Sequence, residues 1–474
     1  MTRVAPASRA SSPVPRSAEP HPSPSMGCSA VTTWHRDTPL SRPRTTIRWA
    51  GDVTSTIDLL DLAQYEREGP PYALFAKLRE EAPVYRHPEA DGPGFWALTR
   101  YEDVVRVSRD SETFSSFQGG TMVQDARPEE LFLLRQMMLN MDPPQHTKLR
   151  ALINKGFTPR MVKKLEVAFR EITTEAIDAI AHKGEADFVE DVAVPLPLSL
   201  IAEMIGIRKE DRKTFHRWSD AMIRGDGNLD KPEIMAAAAQ AFMEYSAYVR
   251  EIIEDRRRDP KDDLVSILVG AKDRGILGNF GQADVRGVQT EEQLELANDE
   301  LIMLLVILLV AGNETTRNAI SGGMQLLIDN PGERKKLIDD PSLIPSAVEK
   351  MVRLVSPVHS FARTVTEDTE VRGVKLRKGD RVLLLYPSAN RDADVFEDPD
   401  AFRVERNPLH LGFGIGPHFC LGANLARMEM RVAFEELLRR LPDMEYADDE
   451  GAVVVPSALV RSCVRMRVRF TPER

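Results

Sequence analysis

The segment that most constrains this chain is His410–Arg431, which reads HLGFGIGPHFCLGANLARMEMR. Three glycines and a proline precede Cys420. Apolar residues follow it at a helical spacing, at Leu421, Leu425, Met428 and Val432. The pattern predicts a loop with little side-chain bulk that presents one thiol at the N-terminus of a helix. Backbone N–H groups and the helix dipole at such a terminus favour the thiolate, and the glycines let the backbone approach a large flat group.

A glycine-rich turn around an ordinary buried cysteine would share part of this pattern, because many turns contain Gly-x-Gly. The complete string is more specific. It resembles the haem-binding signature of the cytochrome P450 family, with matches at Phe413, Gly414, Gly416, His418, Cys420 and Gly422. The resemblance implies haem b as the cofactor and Cys420 as the axial ligand to its iron. Thiolate ligation in that family pushes electron density onto the iron and favours O–O cleavage.

The apolar run Leu301–Gly312 is too short for a membrane span of roughly 20 residues and predicts a core helix. A second unusual segment begins at the end of this run and reads Ala-Gly-Asn-Glu-Thr-Thr, from Ala311 to Thr316. Glycine and a carboxylate weaken a buried helix, and a threonine hydroxyl can bond to the preceding turn and open a notch. By itself the segment could be a kinked helix with Glu314 facing solvent. It also resembles the family's oxygen-activation motif, which implies a haem contact at Ala311 and a proton-relaying pair, Glu314 and Thr315.

The two propionates of a haem need cationic partners. His146 and Arg150 lie four residues apart, on one face of a predicted helix. Arg363 and His418 complete the set that resembles the family's propionate contacts. Taken singly, each residue would be read as an ordinary surface charge.

The chain departs from the family's ExxR motif, in which Glu and Arg pair with a second Arg downstream. Arg353 is in place, but Lys350 stands where the family has Glu, and Arg406 resembles the downstream partner. Three cations in one buried space would be destabilising. Two accommodations remain open: Glu349, four residues before Arg353, substitutes as its partner, or the long stem of Lys350 carries the ammonium to solvent.

The chain divides at about residue 50. Residues 1–50 contain eight prolines, eight serines and seven arginines against two acidic residues, and they predict a disordered tail. An organelle transit peptide or a true start at Met26 are alternatives. Residues 51–474 predict one mainly α domain with small β-sheets, and the resemblance implies that this domain has the cytochrome P450 fold. The stretch Lys272–Gln289 predicts no regular structure and is longer than is usual in that family.

Predicted elements of this domain include a helix at Tyr72–Glu81, a strand at Phe95–Leu98 and a helix-rich region at Phe132–Ala181. A long helical pattern runs over Glu291–Asp329. Late β-like runs are predicted at Thr364–Val374, Arg381–Leu385, Val453–Val455 and Val464–Phe470.

Composition narrows the class of protein further. A net charge of −10 argues against a general nucleic-acid-binding role. The three cysteines, Cys28, Cys420 and Cys463, form neither a disulfide framework nor a zinc pattern, which favours a reducing cytoplasm. The start of the chain shows no secretory signal pattern.

The resemblance implies a monooxygenase that inserts one oxygen atom from O₂ into a C–H bond of a hydrophobic small molecule. Electrons would come from NAD(P)H through a separate partner, a ferredoxin with its reductase or a flavodoxin-type protein, and the enzyme is expected to be a monomer. The string Ala311–Asn318 looks most like bacterial members that oxidise steroids, terpenoids or methyl-branched lipids. Phe117–Met122 and Met222–Leu229 are the predicted pocket walls.

A docking face for such a partner is predicted from a basic cluster. Residues 146–170 carry seven cations against Glu166, and four arginines of the last predicted helix join them. The cluster consists of Lys148, Arg150, Lys155, Arg160, Lys163, Lys164, Arg170, Arg427, Arg431, Arg439 and Arg440. A solvated helix face is the alternative interpretation.

Two other functions remain open. A haem protein could use peroxide directly, or isomerise or dehydrate its substrate without electrons, although Glu314 and Thr315 argue against it. A non-catalytic haem sensor would need neither a distal notch nor a basic docking face.

Overall fold

Helices make up most of the structure, as the apolar periodicity predicts. The computed structural model describes residues 58–61, 65, 70–89, 92–123, 131, 134–154, 157, 159–225, 231–270, 298–406, 409–455, 457 and 459–474. All of them fall within one compact unit. The predicted tail 1–50 and the Lys272–Gln289 stretch lie outside the described residues, as does part of the predicted pocket wall Met222–Leu229.

The helices are numbered in chain order. They are α1 (Tyr72–Glu81), α2 (Tyr101–Arg109), α3 (Gln145–Asn154), α4 (Pro159–Ala181), α5 (Pro195–Ile205), α6 (Arg212–Gly225), α7 (Pro232–Arg258), α8 (Leu264–Val269), α9 (Asn298–Asp329), α10 (Pro331–Asp339), α11 (Ile344–Val355), α12 (Tyr386–Ala389) and α13 (Ala423–Arg440). The predicted helix α1 is confirmed at both ends. Helix α3 lies between Pro144 and Pro159, within the helix-rich region predicted over Phe132–Ala181.

Helix α9 is the central element, because it contacts α5, α11 and α13. Its apolar run is buried among them. The helix ends at Asp329, and only Asn330 separates it from Pro331, which begins α10. Proline is well tolerated at a first helical position, since its missing N–H would be unpaired there. Of the described residues, none belongs to a helix with the length and apolarity needed to cross a membrane.

The strands are short. They are β1 (Val84–His87), β2 (Phe95–Leu98), β3 (Phe114–Ser115), β4 (Glu185–Asp187), β5 (Ser360–Val365), β6 (Thr369–Val371), β7 (Val374–Leu376), β8 (Arg381–Leu385), β9 (Glu445–Tyr446), β10 (Ala452–Val455) and β11 (Ser462–Arg469). The largest sheet has the order β1-β2-β8-β5-β3, with β2 and β8 parallel and its other pairs antiparallel. A second sheet joins β10, β11 and β4, with β9 also on β11.

The strand predictions at Phe95–Leu98 and Arg381–Leu385 are confirmed. The single run predicted over Thr364–Val374 is wrong. There β5 ends at Val365, and β6 and β7 form a separate hairpin. Arg372 and Gly373 at the turn of that hairpin both have positive φ, 50° and 78°, a conformation that a strand cannot contain.

Candidate functional site

The loop before α13 presents Cys420 as the sequence predicts. The Cys420 N–H donates to the Phe413 carbonyl at 2.8 Å, which closes the loop on itself. Gly416 has a φ of 75°, and a Cβ there would lie 2.5 Å from the Ser108 carbonyl oxygen of α2. The glycine is therefore required both for its backbone conformation and for the close approach of α2. The Arg427 guanidinium stacks on the Phe413 ring at 4.5 Å and fixes the side chain beside the loop.

The electrostatics of the thiol only partly match the prediction. Burial raises the pKa of Cys420, while the backbone N–H of Gly422 and the charges of Arg150 and Arg427 act in the opposite direction without reversing it. The helix terminus and the two arginines therefore do not by themselves lower the pKa of this thiol. A coordinating metal ion deprotonates a thiol outright, so the haem iron implied by the sequence would supply what the helix terminus does not.

The four residues predicted to hold propionates, two arginines and two histidines, lie in one region of the structure. The His146 and His418 rings lie 4.2 Å apart, and Arg363 is 4% exposed. Burial and then Arg150 lower the pKa of His146 to about 4. Burial, followed by the charges of Arg363 and His146, lowers the pKa of His418 below that of His146. Because Arg150 and Arg363 lower the pKa of both histidines, the four side chains lie close to one another.

This cluster fits the carboxylates of a haem. The buried Nδ1 of His146 has no hydrogen-bond partner in the described part of the chain. Arg363 donates to the neighbouring Ala362 carbonyl at 2.8 Å, and burial lowers its pKa. The nearby carboxylate, Asp142, is engaged elsewhere, because it accepts from the Ser115 hydroxyl and from the Ser116 N–H. A buried guanidinium requires an anionic partner, and the propionates of a haem would supply one.

The Thr315 hydroxyl donates to the Ala311 carbonyl at 2.7 Å, which is the back-bond that the sequence predicts. Helix α9 nevertheless continues through this segment as regular α-helix. Gly312 lies against α5, where an added Cβ would be 3.1 Å from Ile201 Cδ1. Ala311 is exposed, although the helix around it is largely buried.

Glu314 is 6% exposed, so the alternative of a solvent-facing carboxylate is wrong. Its Oε1 forms an ion pair with Arg317 and accepts from Asn318 Nδ2 at 2.8 Å and Ser462 Oγ at 3.2 Å. The other oxygen, Oε2, is buried and has no partner among the residues described. One oxygen therefore anchors the carboxylate, and the other remains available for a proton.

Two residues near the site were not identified from the sequence. Glu429 of α13 is buried beside α9, with a hydrogen bond to Thr316, and burial raises the pKa of its carboxyl to about 8. Arg427 contacts both the Phe413 ring and Glu349. Their position in the sequence could have drawn attention to them, since both lie on the helix that follows Cys420. Only the packing of α13 on α9 and α11 reveals their partners.

Both accommodations predicted for Lys350 are wrong. Glu349 does not pair with Arg353. Instead it accepts from Arg427 at 2.6 and 2.8 Å and from His410 at 3.1 Å. Burial acts against its charge, but these bonds outweigh burial and hold the pKa of Glu349 far below its usual value. Lys350 is not in solvent either, because it is 2% exposed.

The predicted basic docking face is largely neutralised by acidic residues that folding brings close. Arg170 pairs with Glu435 and Glu436, and Arg431 with Glu166 and Glu435. The other ion pairs are Lys164–Asp262, Arg427–Glu349, Arg439–Glu436, Arg440–Asp178 and Arg440–Glu473. Lys155 lies outside the described residues. Lys148, Arg160 and Lys163 carry no ion pair in the described ranges, so the available basic surface is smaller than predicted.

Comparison with known proteins places these features in a family. A family model described as Cytochrome P450 matches residues 59–340 and 342–442. The steroid C26-monooxygenase of Mycobacterium tuberculosis is 39% identical over 402 residues, which cover 84% of this chain and 94% of that protein. The methyl-branched lipid omega-hydroxylase of the same species is 40% identical over 392 residues, covering 80% and 87%. A solved Mycobacterium marinum cytochrome P450 in complex with pseudoionone matches with a TM-score of 0.76 at 36% identity, covering 88% and 99%.

Proposed function

This chain belongs to the cytochrome P450 family and is a haem-dependent monooxygenase, and we propose that its substrate is a lipid with a branched aliphatic chain, oxidised at the chain end. The observation that carries the proposal is the pair of relatives named for such positions. In steroid numbering C26 is a terminal methyl carbon of the branched side chain, and omega denotes the last carbon of a chain. Both names describe an oxidation rather than an isomerisation or dehydration without electrons, or a non-catalytic haem sensor.

The cofactor is haem b, and the residues present fit it. Bound haem supplies the iron centre at which molecular oxygen is activated. Cys420 Sγ would ligate the haem iron, because the loop that closes on Phe413 presents it. His146, Arg150, Arg363 and His418 would hold the propionates. Phe413, Gly414, Gly422 and Ala311 complete the haem contacts in this proposal.

We assign proton transfer to Thr315 and Glu314. The Thr315 hydroxyl both accepts and donates, and its present acceptor is the Ala311 carbonyl. Glu314 Oε2 is the free carboxylate oxygen, while Arg317, Asn318 and Ser462 hold Oε1. A proton can therefore be exchanged at Oε2 without release of the anchored oxygen.

The substrate class can be tested with matched pairs of lipids. Cholest-4-en-3-one should shift the haem spectrum and yield a product with one added oxygen on the side chain. Testosterone, which has similar rings but no such chain, should yield no terminal product. Phytanic and palmitic acids, branched and unbranched, form the second pair. Equal turnover of branched and unbranched partners, or oxidation confined to steroid rings, would contradict the proposal.

The relay is tested by Thr315→Ala and Thr315→Ser. Loss of the hydroxyl should leave haem and substrate binding intact but lower product per NAD(P)H by at least about tenfold, because positioned general acids contribute roughly 100-fold or more. Peroxide release should rise in parallel. Thr315→Ser keeps the hydroxyl and should restore most of the coupling. Unchanged product per NAD(P)H in Thr315→Ala would reject the assignment.

For the electron donor we propose an acidic ferredoxin with its reductase, with a flavodoxin-type protein as the alternative. Lys148, Arg160 and Lys163 supply unneutralised positive charge on α3 and α4, the first of which also carries His146. The rate of reduction by ferredoxin should fall as ionic strength rises. A rate independent of salt would remove the electrostatic argument. Cytoplasmic residence and a monomeric state stay predictions of the sequence.

A further inference from the structure

The inner face of α11 buries two cations in adjacent turns. Lys350 is 2% exposed and Arg353 is fully buried. The rest of the helix is apolar where it packs, with Ala347, Met351 and Leu354 also buried. A protonated lysine in such a place requires a counter-charge, because an isolated buried charge is strongly destabilising.

Arg353 is only partly satisfied by its neighbours. Its Nη1 donates to the carbonyls of Asn390 at 2.5 Å and Pro399 at 2.8 Å, and its guanidinium lies 4.8 Å from the Phe396 ring. Its Nε and Nη2 are buried and have no hydrogen-bond partner within the described part of the chain. The N–H groups at Nε and Nη2 of Arg353 are therefore available to an acceptor. Arg353 lies one helical turn after Lys350.

The carboxylates around this pair are engaged by other arginines. Arg391 pairs with Asp400 at 3.0 Å, Arg403 with Asp398 at 2.7 Å, and Arg406 with Glu397 at 3.2 Å. All three carboxylates are exposed. Glu349 is bound to Arg427 and His410. Lys350 and Arg353 form no ion pair among the described residues. Asp400 acts on Arg353 electrostatically, but its ion pair is with Arg391, so positive charge exceeds negative charge around Lys350 and Arg353.

This environment makes Lys350 an amine that readily loses its proton. Burial, followed by the charges of Arg353, Arg406 and Arg391, lowers the pKa of Lys350 to about 7. A lysine that is desolvated beside other cations is the kind that proteins use as a nucleophile. Its neutral form still leaves the Arg353 N–H edges without an anion.

We propose that Lys350 Nζ is a carboxylation site, at which carbon dioxide adds to the amine and forms a carbamate that accepts hydrogen bonds from Arg353. The Nζ lone pair attacks the carbon of CO₂, an N–C bond forms, one C–O π bond opens to an oxyanion, and the Nζ proton leaves to solvent. Nothing is oxidised or reduced. Relative to the ammonium form, the side chain changes by two charge units and becomes an anion beside Arg353 and Arg406. The modification thus supplies the carboxylate that this position lacks.

Direct detection uses the full-length, haem-loaded protein equilibrated with ¹³C-labelled bicarbonate and carbon dioxide. The wild type should show a carbamate ¹³C resonance that disappears on removal of CO₂. Lys350→Arg keeps a positive charge but has no amine able to form this carbamate, and Lys350→Glu supplies a carboxylate directly, so both should lack the resonance. Lys336→Arg, at an exposed lysine already paired with Glu405, should keep it. A resonance that persists in Lys350→Arg, or none in the wild type, overturns the proposal.

Thermal melting gives an independent readout. Bicarbonate with dissolved CO₂ should raise the melting temperature of the wild type by a few degrees over chloride at equal ionic strength. It should leave Lys350→Glu unchanged. Formate provides the control for non-covalent anion binding, and equal stabilisation by formate would reject the covalent step. If the Lys350 variants fail to load haem, the wild type with and without CO₂ still decides, because both the resonance and the melting shift are measured on it alone.

Discussion

Both the proposed propionate-binding residues and the buried face of α11 include a buried arginine, and the two regions differ in the source of the anion that would neutralise it. In the first, Arg150, Arg363, His146 and His418 are proposed to hold the two carboxylates of the cofactor. In the second, Lys350 and Arg353 lie one helical turn apart, at the position where the sequence departs from the Glu of the family motif. The comparison teaches that a buried cationic cluster is not by itself a sign of instability. Such a cluster indicates a position at which an anion from a cofactor or from a modified side chain would be bound.

The largest expected effect tests the ligand that defines the first region. Cys420→Ala should abolish the carbon monoxide band of thiolate-ligated haem, because no other described cysteine lies in a haem-type loop. Cys463→Ala is the matched control at the other described cysteine and should keep the band. The measurement is the reduced, carbon monoxide difference spectrum. Retention of the band in Cys420→Ala would refute the central assignment.

The next largest effect is expected on haem retention when Arg363 of the proposed propionate site is replaced. Arg363→Ala should weaken haem retention by roughly tenfold to 100-fold, since a hydrogen bond to a charged group contributes about 1.5–3 kcal/mol. Haem transfer to apomyoglobin measures the loss. Arg467→Ala, at an exposed arginine paired with Glu185, should be close to neutral. Equal haem loss in both variants would contradict the proposed role of the buried cluster.

Restoring the carboxylate of the second region should stabilise it. In buffer free of CO₂, Lys350→Glu should raise the free energy of unfolding by about 1–3 kcal/mol, because an unpaired buried cation is replaced by a partner for Arg353. Denaturant unfolding of the holoprotein measures the change. Lys350→Met, which removes the charge without adding one, should gain less. No difference between the two replacements would show that the orphaned Arg353 edges do not need an anion.

The pH dependence of stability provides the smallest effect. The pKa of Lys350 is about 7 in the folded chain and 10.5 at its ordinary value. Between these values the unfolded chain binds more protons, so the free energy of unfolding rises with pH. From pH 7 to 9, without CO₂, the wild type should gain about 2 kcal/mol relative to Lys350→Met. Parallel curves for the two proteins would show that Lys350 keeps an ordinary pKa.

The sequence predicted the parts of the site that lie close together in the chain. Cys420, its glycines and the following helix form one continuous string, and the Thr315 back-bond spans four residues, so local pattern sufficed for both. It failed where partners come from distant segments. The Glu349 contact with Arg427 joins α11 to α13, and the neutralisation of Arg170 joins α4 to α13. Charge counts along the chain cannot anticipate such pairs.

The same reason explains the errors in the fold. Tyr72–Glu81 and Arg381–Leu385 were predicted with their observed bounds, since each is a periodic run with clear ends. Thr364–Val374 was read as one strand because its β-branched residues continue across a turn. The positive φ values at Arg372 and Gly373 that break it depend on backbone geometry rather than on hydrophobic pattern.

The parallel pairing of β2 with β8 has a consequence for synthesis of the chain. Phe95 pairs with Arg381, so the two strands are separated by more than half of the sequence. Contacts of such long range form slowly, because the intervening loop must be closed first. During translation the β1–β2 hairpin therefore has an unpaired edge until β8 leaves the ribosome, and an open edge of this kind invites association with other chains. Cys420 is synthesised later still, so this edge is exposed before the residue proposed to ligate the haem iron has been made.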